Sequence, residues 1–157
     1  MKEIKLTQDK VALVDDEDFE YLNQWKWHTL KQRNRLYAIR SKGTKPFQKT
    51  ISMHQQIMEF PKGMHIDHID GNGLNNHSKN LRICTNSQNL ANRNKNITNT
   101  SGYKGVSLYK ATGKWKASIS VSGKLFYLGC YNTPEEAAKA YDEAARKYQK
   151  EFAVFNF

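Results

Sequence analysis

Apolar and polar positions follow different periods along the chain. In residues 1–60, "KVALV" (10–14) reads as a short strand and the acid-rich "DDEDFEYLNQ" (15–24) as a helical turn. "WKWHTL" and "RLYAIRS" follow with the pattern of half-buried strands, and "SMHQQIMEF" (52–60) sets Met53, Ile57 and Phe60 at helical spacing. Trp25 and Trp27 flank Lys26, an alternation that assigns the indoles to a core rather than to a base-stacking platform.

Residues 61–95 have another grammar. "MHIDH" predicts a short strand, "DGNGLNNHSKN" is turn chemistry because Gly and Asn tolerate positive φ, and "LRIC" predicts a second strand. In "TNSQNLANRN", Thr85 followed by Gln88 fits a capping box, so a helix should start there with Asn89 and Arg93 on one face. "NKNITNTSG" (94–102) has no apolar period and reads as a linker.

The remainder, 102–157, is a unit of its own. "KWKASISV" (114–121) puts Trp115, Ala117, Ile119 and Val121 on one face and Lys114, Lys116, Ser118 and Ser120 on the other. "SG" (122–123) turns the chain into "KLFYLGCY". A helix should then begin at Thr133 as N-cap and Pro134 as first residue, burying Ala137, Ala138, Tyr141, Ala144, Ala145 and Tyr148 on the sheet.

Composition narrows the function classes. The 157 residues carry a net charge of +10, and from Gly71 to Pro134 there is no acidic residue, while Lys79, Arg82, Arg93, Lys95, Lys104, Lys110, Lys114, Lys116 and Lys124 fall in that window. An acid-free basic stretch favours a polyanion partner, since each neutralised phosphate releases counterions; the bland alternative is a solvated surface. Cys84 and Cys130 form no CxxC pair, which suits a reducing cytosol. No window approaches a membrane span, so the expectation is a soluble, cytoplasmic protein with no membrane partner and no obligate protein partner.

The stretch "HIDHIDGNGLNNHSKN" (65–80) concentrates the candidate chemistry. As a calcium loop it fails on spacing, because a glycine at Gly71 would put Ile66 and His68 in ligand positions. As a zinc site it offers His65, His68, His77 and Cys84 without the paired spacing of structural zinc. A purely structural polar loop and a phosphodiester-hydrolysing site both remain. For the latter, Asp67 supplies a carboxylate, Asn89 an amide oxygen, and His68 an imidazole that titrates near neutrality. Neighbours on a strand face opposite ways, so Asp67 and His68 can serve one phosphate only at a strand end.

The run "IDHIDGNGLNNHSKNLRICTNSQNLANR" (66–93) resembles an HNH endonuclease motif of the H-N-N kind found in phage homing endonucleases. The resemblance implies that Asp67 is a metal ligand, His68 the general base, Asn80 the structural asparagine that braces loop and histidine, and Asn89 the second ligand. An asparagine at 89, where many relatives have histidine, implies one hard ion, Mg²⁺ or Mn²⁺. Arg93, one turn beyond Asn89, is either a phosphate contact or a cap of the helix C-terminus. His65 and His77 match no role in the motif. The segment "GYKGVSLYKATGKWKASISVSGKLFYLGCYNTPEEAAKAYDEAARKY…FAVFNF" resembles the plant Apetala-two/ethylene-response-factor DNA-binding domain, a three-stranded antiparallel sheet backed by one helix. That resemblance implies that Lys104, Ser107, Tyr109, Lys114, Lys116, Ser118, Ser120 and Tyr127 face the major groove. Several family arginines are Ser, Tyr or Leu here, so readout should lean on Tyr, Ser, water and DNA shape.

The reading is therefore an α+β protein: an N-terminal β-rich region (1–60) packed on a ββα-metal HNH core (61–95), a linker (96–101) and a sheet-type DNA-binding domain (102–157). Its expected function is metal-dependent, site-directed cleavage of double-stranded DNA, homing-type, by nicking or cutting. The alternative is a sequence-specific regulator with a vestigial nuclease fold. Lys31, Arg33, Arg35 and Arg40 offer a further DNA-contacting surface in the first sixty residues.

Overall fold

The computed structural model describes every residue except Arg33 and Ile97; of the four basic residues suggested for an extra DNA surface, Arg33 thus lies outside the described residues. Two strands open the chain, β1 (Lys2–Lys5) and β2 (Val11–Val14), antiparallel with Ile4 opposite Ala12. Helix α1 (Asp16–Asn23) starts on three acids, which complement the positive end of its dipole, and buries Leu22. The Trp27 indole then donates its Nε1–H to the Leu22 carbonyl at 2.8 Å. That carbonyl also accepts the Trp25 N–H at 3.3 Å, and the two bonds hold residues 25–27 against the end of α1, so the strand expected from Trp25 begins only at His28. Trp27 joins Ile4, Ala12, Val14, Leu22, Ala38 and Met53 in the core, and Trp25 packs at its edge under the Arg40 guanidinium, 4.3 Å from the ring centre.

Strands β3 (His28–Gln32), β4 (Arg35–Lys42) and β5 (Lys49–Ser52) form an antiparallel sheet with β4 in the middle. Helix α2 (Met53–Ile57) stops short of the predicted Phe60, because Glu59 and Phe60 both turn to positive φ. A second pair follows: β6 (His65–His68) and β7 (Leu81–Cys84), with Asp67 opposite Arg82 and His68 opposite Leu81. The connection between them is fastened to β2, where the Leu13 N–H reaches the Leu74 carbonyl at 2.9 Å and the Asn76 N–H reaches the Leu13 carbonyl at 2.8 Å.

Helix α3 (Asn86–Ala91) begins with the expected capping box between Thr85 and Gln88. It is followed by β8 (Val106–Tyr109), β9 (Lys114–Val121) and β10 (Lys124–Tyr131), in the order β10-β9-β8. The predicted alternation in β9 holds: Ala117 and Ile119 are buried, and Lys114 and Ser120 are exposed. Helix α4 (Pro134–Tyr148) is capped by Thr133 and Glu136 and buries the alanine stripe with Tyr141. Tyr148 departs from the expectation; it is half exposed and stacks on Phe126.

The chain is thus a mixed α and β protein whose sheets, among the described residues, are small and antiparallel. It divides into two compact units, Met1–Cys84 and Thr85–Phe157, so the break precedes α3 rather than following it at the predicted linker. No helix among the described residues is long and apolar enough to cross a membrane.

Gly105 lies directly against the Tyr141 ring of α4. Its φ is +75°, and a Cβ there would lie 2.0 Å from Tyr141 Cδ2. Gly105→Ala should therefore destabilise the second unit by about 2 kcal/mol or more, measured by denaturation followed at Trp115. A variant as stable as the parent would show that Tyr141 yields without cost.

Candidate active site and nucleic-acid surface

Asp67 and His68 end β6, and the pleat sends them to different surroundings. Asp67 is buried, and Arg82 grips its Oδ2 with both Nε (3.0 Å) and Nη2 (2.8 Å), the cross-strand partner dictated by the register. His68 is buried among aromatic groups: the His54 ring stands edge-on to it at 5.0 Å between centroids and Tyr37 lies at 6.0 Å. Its Nε2 lies 3.3 Å from Asn76 Oδ1, while Asn76 Nδ2 faces the Leu74 carbonyl. With the amide oriented that way, the network assigns the imidazole proton to Nε2 and the basic lone pair to Nδ1.

Burial lowers the His68 pKa, only partly offset by the Asn76 bond and the Asp70 and Asp67 charges, so the ring is neutral at pH 7. Arg35 opposes protonation as well, and its Nη2 would lie 3.3 Å from a Cβ at Gly71, next to the loop. His54 is driven down to about 3 by burial and by the neighbouring His68.

The loop 69–80 is organised by Asn80. Its Oδ1 accepts the Asp70 N–H at 3.0 Å, and its Nδ2 donates to Asp70 Oδ1 (2.9 Å) and to the Asn75 carbonyl (2.7 Å). Asp70 also accepts from the Asn72 N–H and Asn75 Nδ2, both at 2.8 Å. His77 anchors the far side: its Nε2 is 2.8 Å from Asp15 Oδ1, and Asp15 Oδ2 accepts the Ser78 N–H at 2.7 Å. Burial works to raise the Asp15 pKa, but the Ser78 bonds and the His77 charge bring it below the ordinary carboxylate value. His65 is exposed at the start of β6.

Asp67, His68 and Asn80 all lie in the first unit, but in different surroundings: Asp67 on Arg82, His68 with Asn76, His54 and Tyr37, and Asn80 on Asp70 and Asn75. Asn89 and Arg93 belong to the second, Asn89 half-buried on α3 and Arg93 exposed just beyond it. Asp67 and Asn89 each carry an oxygen donor of the kind a hard divalent ion takes, but they belong to different units and Asp67 is engaged by Arg82; among the described residues no group of three or more His, Cys, Asp or Glu side chains could hold an ion. His54 was missed in the sequence, where it sits unremarked in a helical run; only its contact with His68 singles it out.

On the second unit the register aligns Ser107 with Lys116, Tyr109 with Lys114, Ser118 with Tyr127 and Ser120 with Leu125. Seven of the eight residues predicted to face DNA therefore share one face of the sheet, and Tyr109, Lys114, Ser107, Ser120 and Tyr127 are exposed there. Lys104 is the exception. Its ammonium turns inward, donates to the Ala91 carbonyl and lies 5.9 Å from the Tyr141 ring centre.

Residues 59–91 match the family model for HNH endonuclease, and residues 101–151 match that for the AP2 domain. The chain is similar to protein 3.8 of Escherichia phage T7, 35% identical over 119 residues that cover 73% of this chain and 98% of that protein. It is also similar to an uncharacterized HNH endonuclease of Acanthamoeba polyphaga mimivirus, 29% identical over 146 residues, 92% of this chain and 74% of that protein. Over its last third it is similar to APETALA2-like protein 2 of Oryza sativa, 45% identical over 58 residues, 37% of this chain but 13% of that protein.

The buried histidines tie stability to pH. Each has a folded pKa below its unfolded value near 6.5, so unfolding takes up protons and stability is lost as pH falls below about 6.5. In a Trp115→Phe background, where Trp25 and Trp27 report the first unit, His54 alone should lower the unfolding free energy by up to about 1.4 kcal/mol per pH unit between pH 6 and 4, with His68 adding to the slope just below pH 6.5. His54→Phe should make that slope shallower; an identical slope would show that His54 does not stay neutral.

Proposed function

Since the chain belongs to the HNH endonuclease family and carries an AP2 domain behind that segment, we propose that it is a metal-dependent, site-directed endonuclease of the homing type. It hydrolyses phosphodiester bonds of double-stranded DNA, in the cytoplasm of a bacterial host, and nicks with one active site per chain. The observation that carries this reading is a buried carboxylate followed directly by a buried, neutral imidazole at the end of β6, in a loop held by Asn80.

His68 acts as general base. Its Nδ1 takes a proton from water as the water oxygen attacks phosphorus and the bond to the leaving oxygen breaks. Asn76 keeps the other ring nitrogen protonated and the ring oriented. Asn80 fixes the loop that follows His68 in the chain. Asp67 and Asn89 would be the oxygen ligands of a Mg²⁺ or Mn²⁺ ion, which when bound would supply Lewis-acid stabilisation of charge developing on the phosphate. Arg93 contacts a phosphate. The sheet of residues 102–157 supplies register and site choice through Ser107, Tyr109, Lys114, Lys116, Ser118, Ser120 and Tyr127, because phosphate contacts alone carry no sequence information.

Supercoiled plasmid incubated with the protein and Mg²⁺ or Mn²⁺ should give nicked circles before linear product. His68→Ala should slow this by about 100-fold or more while leaving duplex affinity within about twofold. Equal cleavage by the variant would remove His68 from its role. Replacing Lys114 and Lys116 together by Ala should weaken duplex binding and reduce the slope of log K against log salt by about 2. An unchanged slope would take both lysines off the phosphates.

A further inference from the structure

Beyond its capping box, helix α3 is secured to the sheet unit at each end. Near its start, Ser87 Oγ accepts the Ser122 N–H at 2.9 Å. At its finish, the Lys104 ammonium donates to the Ala91 carbonyl, a group that the end of a helix leaves without an internal partner. A cation at that terminus also meets the negative end of the helix dipole.

Lys104 is itself immobilised. Its N–H donates to Asn156 Oδ1 at 2.7 Å and its carbonyl accepts from Asn156 Nδ2 at 3.2 Å. Asn156 in turn donates, through N and Nδ2, to the buried Asp142 on α4. A continuous line of bonds therefore runs from α4 through Asp142, Asn156 and Lys104 to the last turn of α3.

The strand beside α3 explains why a helix lies there. β8 pairs with β9 only as far as Val106 opposite Ala117, and the Ser118 N–H still finds the Gly105 carbonyl at 2.9 Å. Beyond that point the edge of β9 is open. Side chains close it: Gln149 Nε2 donates to the Ser120 carbonyl at 3.2 Å, and Ser87 takes the Ser122 N–H. An uncovered edge would be a template for pairing with another strand. Between α3 and this edge lies a cavity of about 310 Å³, with Leu90, Ala91, Lys104, Ser118 and Tyr141 among its walls.

We propose that Lys104 is a positioning residue that locks α3, and with it Asn89, onto the DNA-reading sheet. The proposal rests on the reading of Asn89 as a metal ligand. Asn89 stands between the two anchored residues, Ser87 and Ala91, so its place is set by the sheet and not by the short helix alone. Positional errors of about 1 Å are costly in catalysis, so a slack α3 would cut slowly even on DNA it binds well. Burial supports the assignment: it lowers the Lys104 pKa to about 8, against the pull of Asp142, as befits a group facing inward.

The test is Lys104→Met in the full-length protein, which keeps the aliphatic stem and removes the donor. Amide hydrogen exchange over 86–91 should accelerate at least tenfold while α4 stays protected, and Lys104→Arg should restore part of the protection. Duplex affinity and the salt slope should stay unchanged, whereas nicking at saturating DNA should fall at least tenfold and need more Mg²⁺. Unchanged exchange over 86–91 would overturn the proposal. So would a salt slope reduced by about 1 with protection intact, which would make Lys104 a phosphate contact. A parent protein that does not nick would remove the ligand role of Asn89, and exchange would then decide the lock on its own.

Discussion

The first unit depends on one carboxamide. The connection 69–80 has Leu74 as its main apolar contribution to the core, so hydrophobic burial cannot shape it. Hydrogen bonds must, and Asn80 makes the central ones, accepting from Asp70 and donating to Asp70 and Asn75. Only a side chain that both donates and accepts can do this; aspartate at 80 would oppose Asp70, and leucine would leave the loop carbonyl unanswered. With the loop closed, Asn76 is wholly buried between Leu13 and His68, and the His68 ring acquires a fixed proton position. The tautomer of the proposed base is thus set two bonds away from the residue that shapes the loop.

The pair Asp67–Arg82 is a second consequence of register. Carrying a carboxylate into a nearly dry position is expensive, and a guanidinium gripping one oxygen with two N–H groups offsets that cost. The basic character read from the acid-free window therefore has two components. Lys114 and Lys116 are displayed on the sheet, whereas Arg82 and Lys104 are committed internally. Counting charges along the chain could not separate them, because commitment depends on which strand lies opposite.

Local patterns were legible where a short-range rule decides the structure. The capping boxes at Thr85 and Thr133, the alternation of β9 and the buried alanine stripe of α4 all follow from spacing within a few residues. What escaped were features set by distant partners. Trp25 to Trp27 read as strand, yet the Trp27 indole bonds to the end of α1 and keeps them irregular. His54 is unremarkable in its helix and gains significance only from its contact with His68. His77, without a role in the motif, is the tie between the loop and Asp15. Lys104 read as a groove contact because its position along the chain matches that pattern, but Asn156 and the end of α3 claim it first.

The placement of the unit boundary carries the remaining argument. The sequence puts a polar, aperiodic linker after α3, and such a segment reads as a hinge between nuclease and DNA-binding parts. Its later residues are in fact spent on the second unit: Asn99 Nδ2 donates to the Tyr103 carbonyl at 2.7 Å, and Ser101 Oγ donates to the Val106 carbonyl at 2.9 Å. With α3 held by Ser87 and Lys104, the chain from Thr85 onward forms one compact body. The residue proposed as a metal ligand on α3, Asn89, is therefore carried by the same compact body as the sheet proposed to read DNA, and its position within that body is set by Ser87 and Lys104 rather than by the six residues of the helix alone.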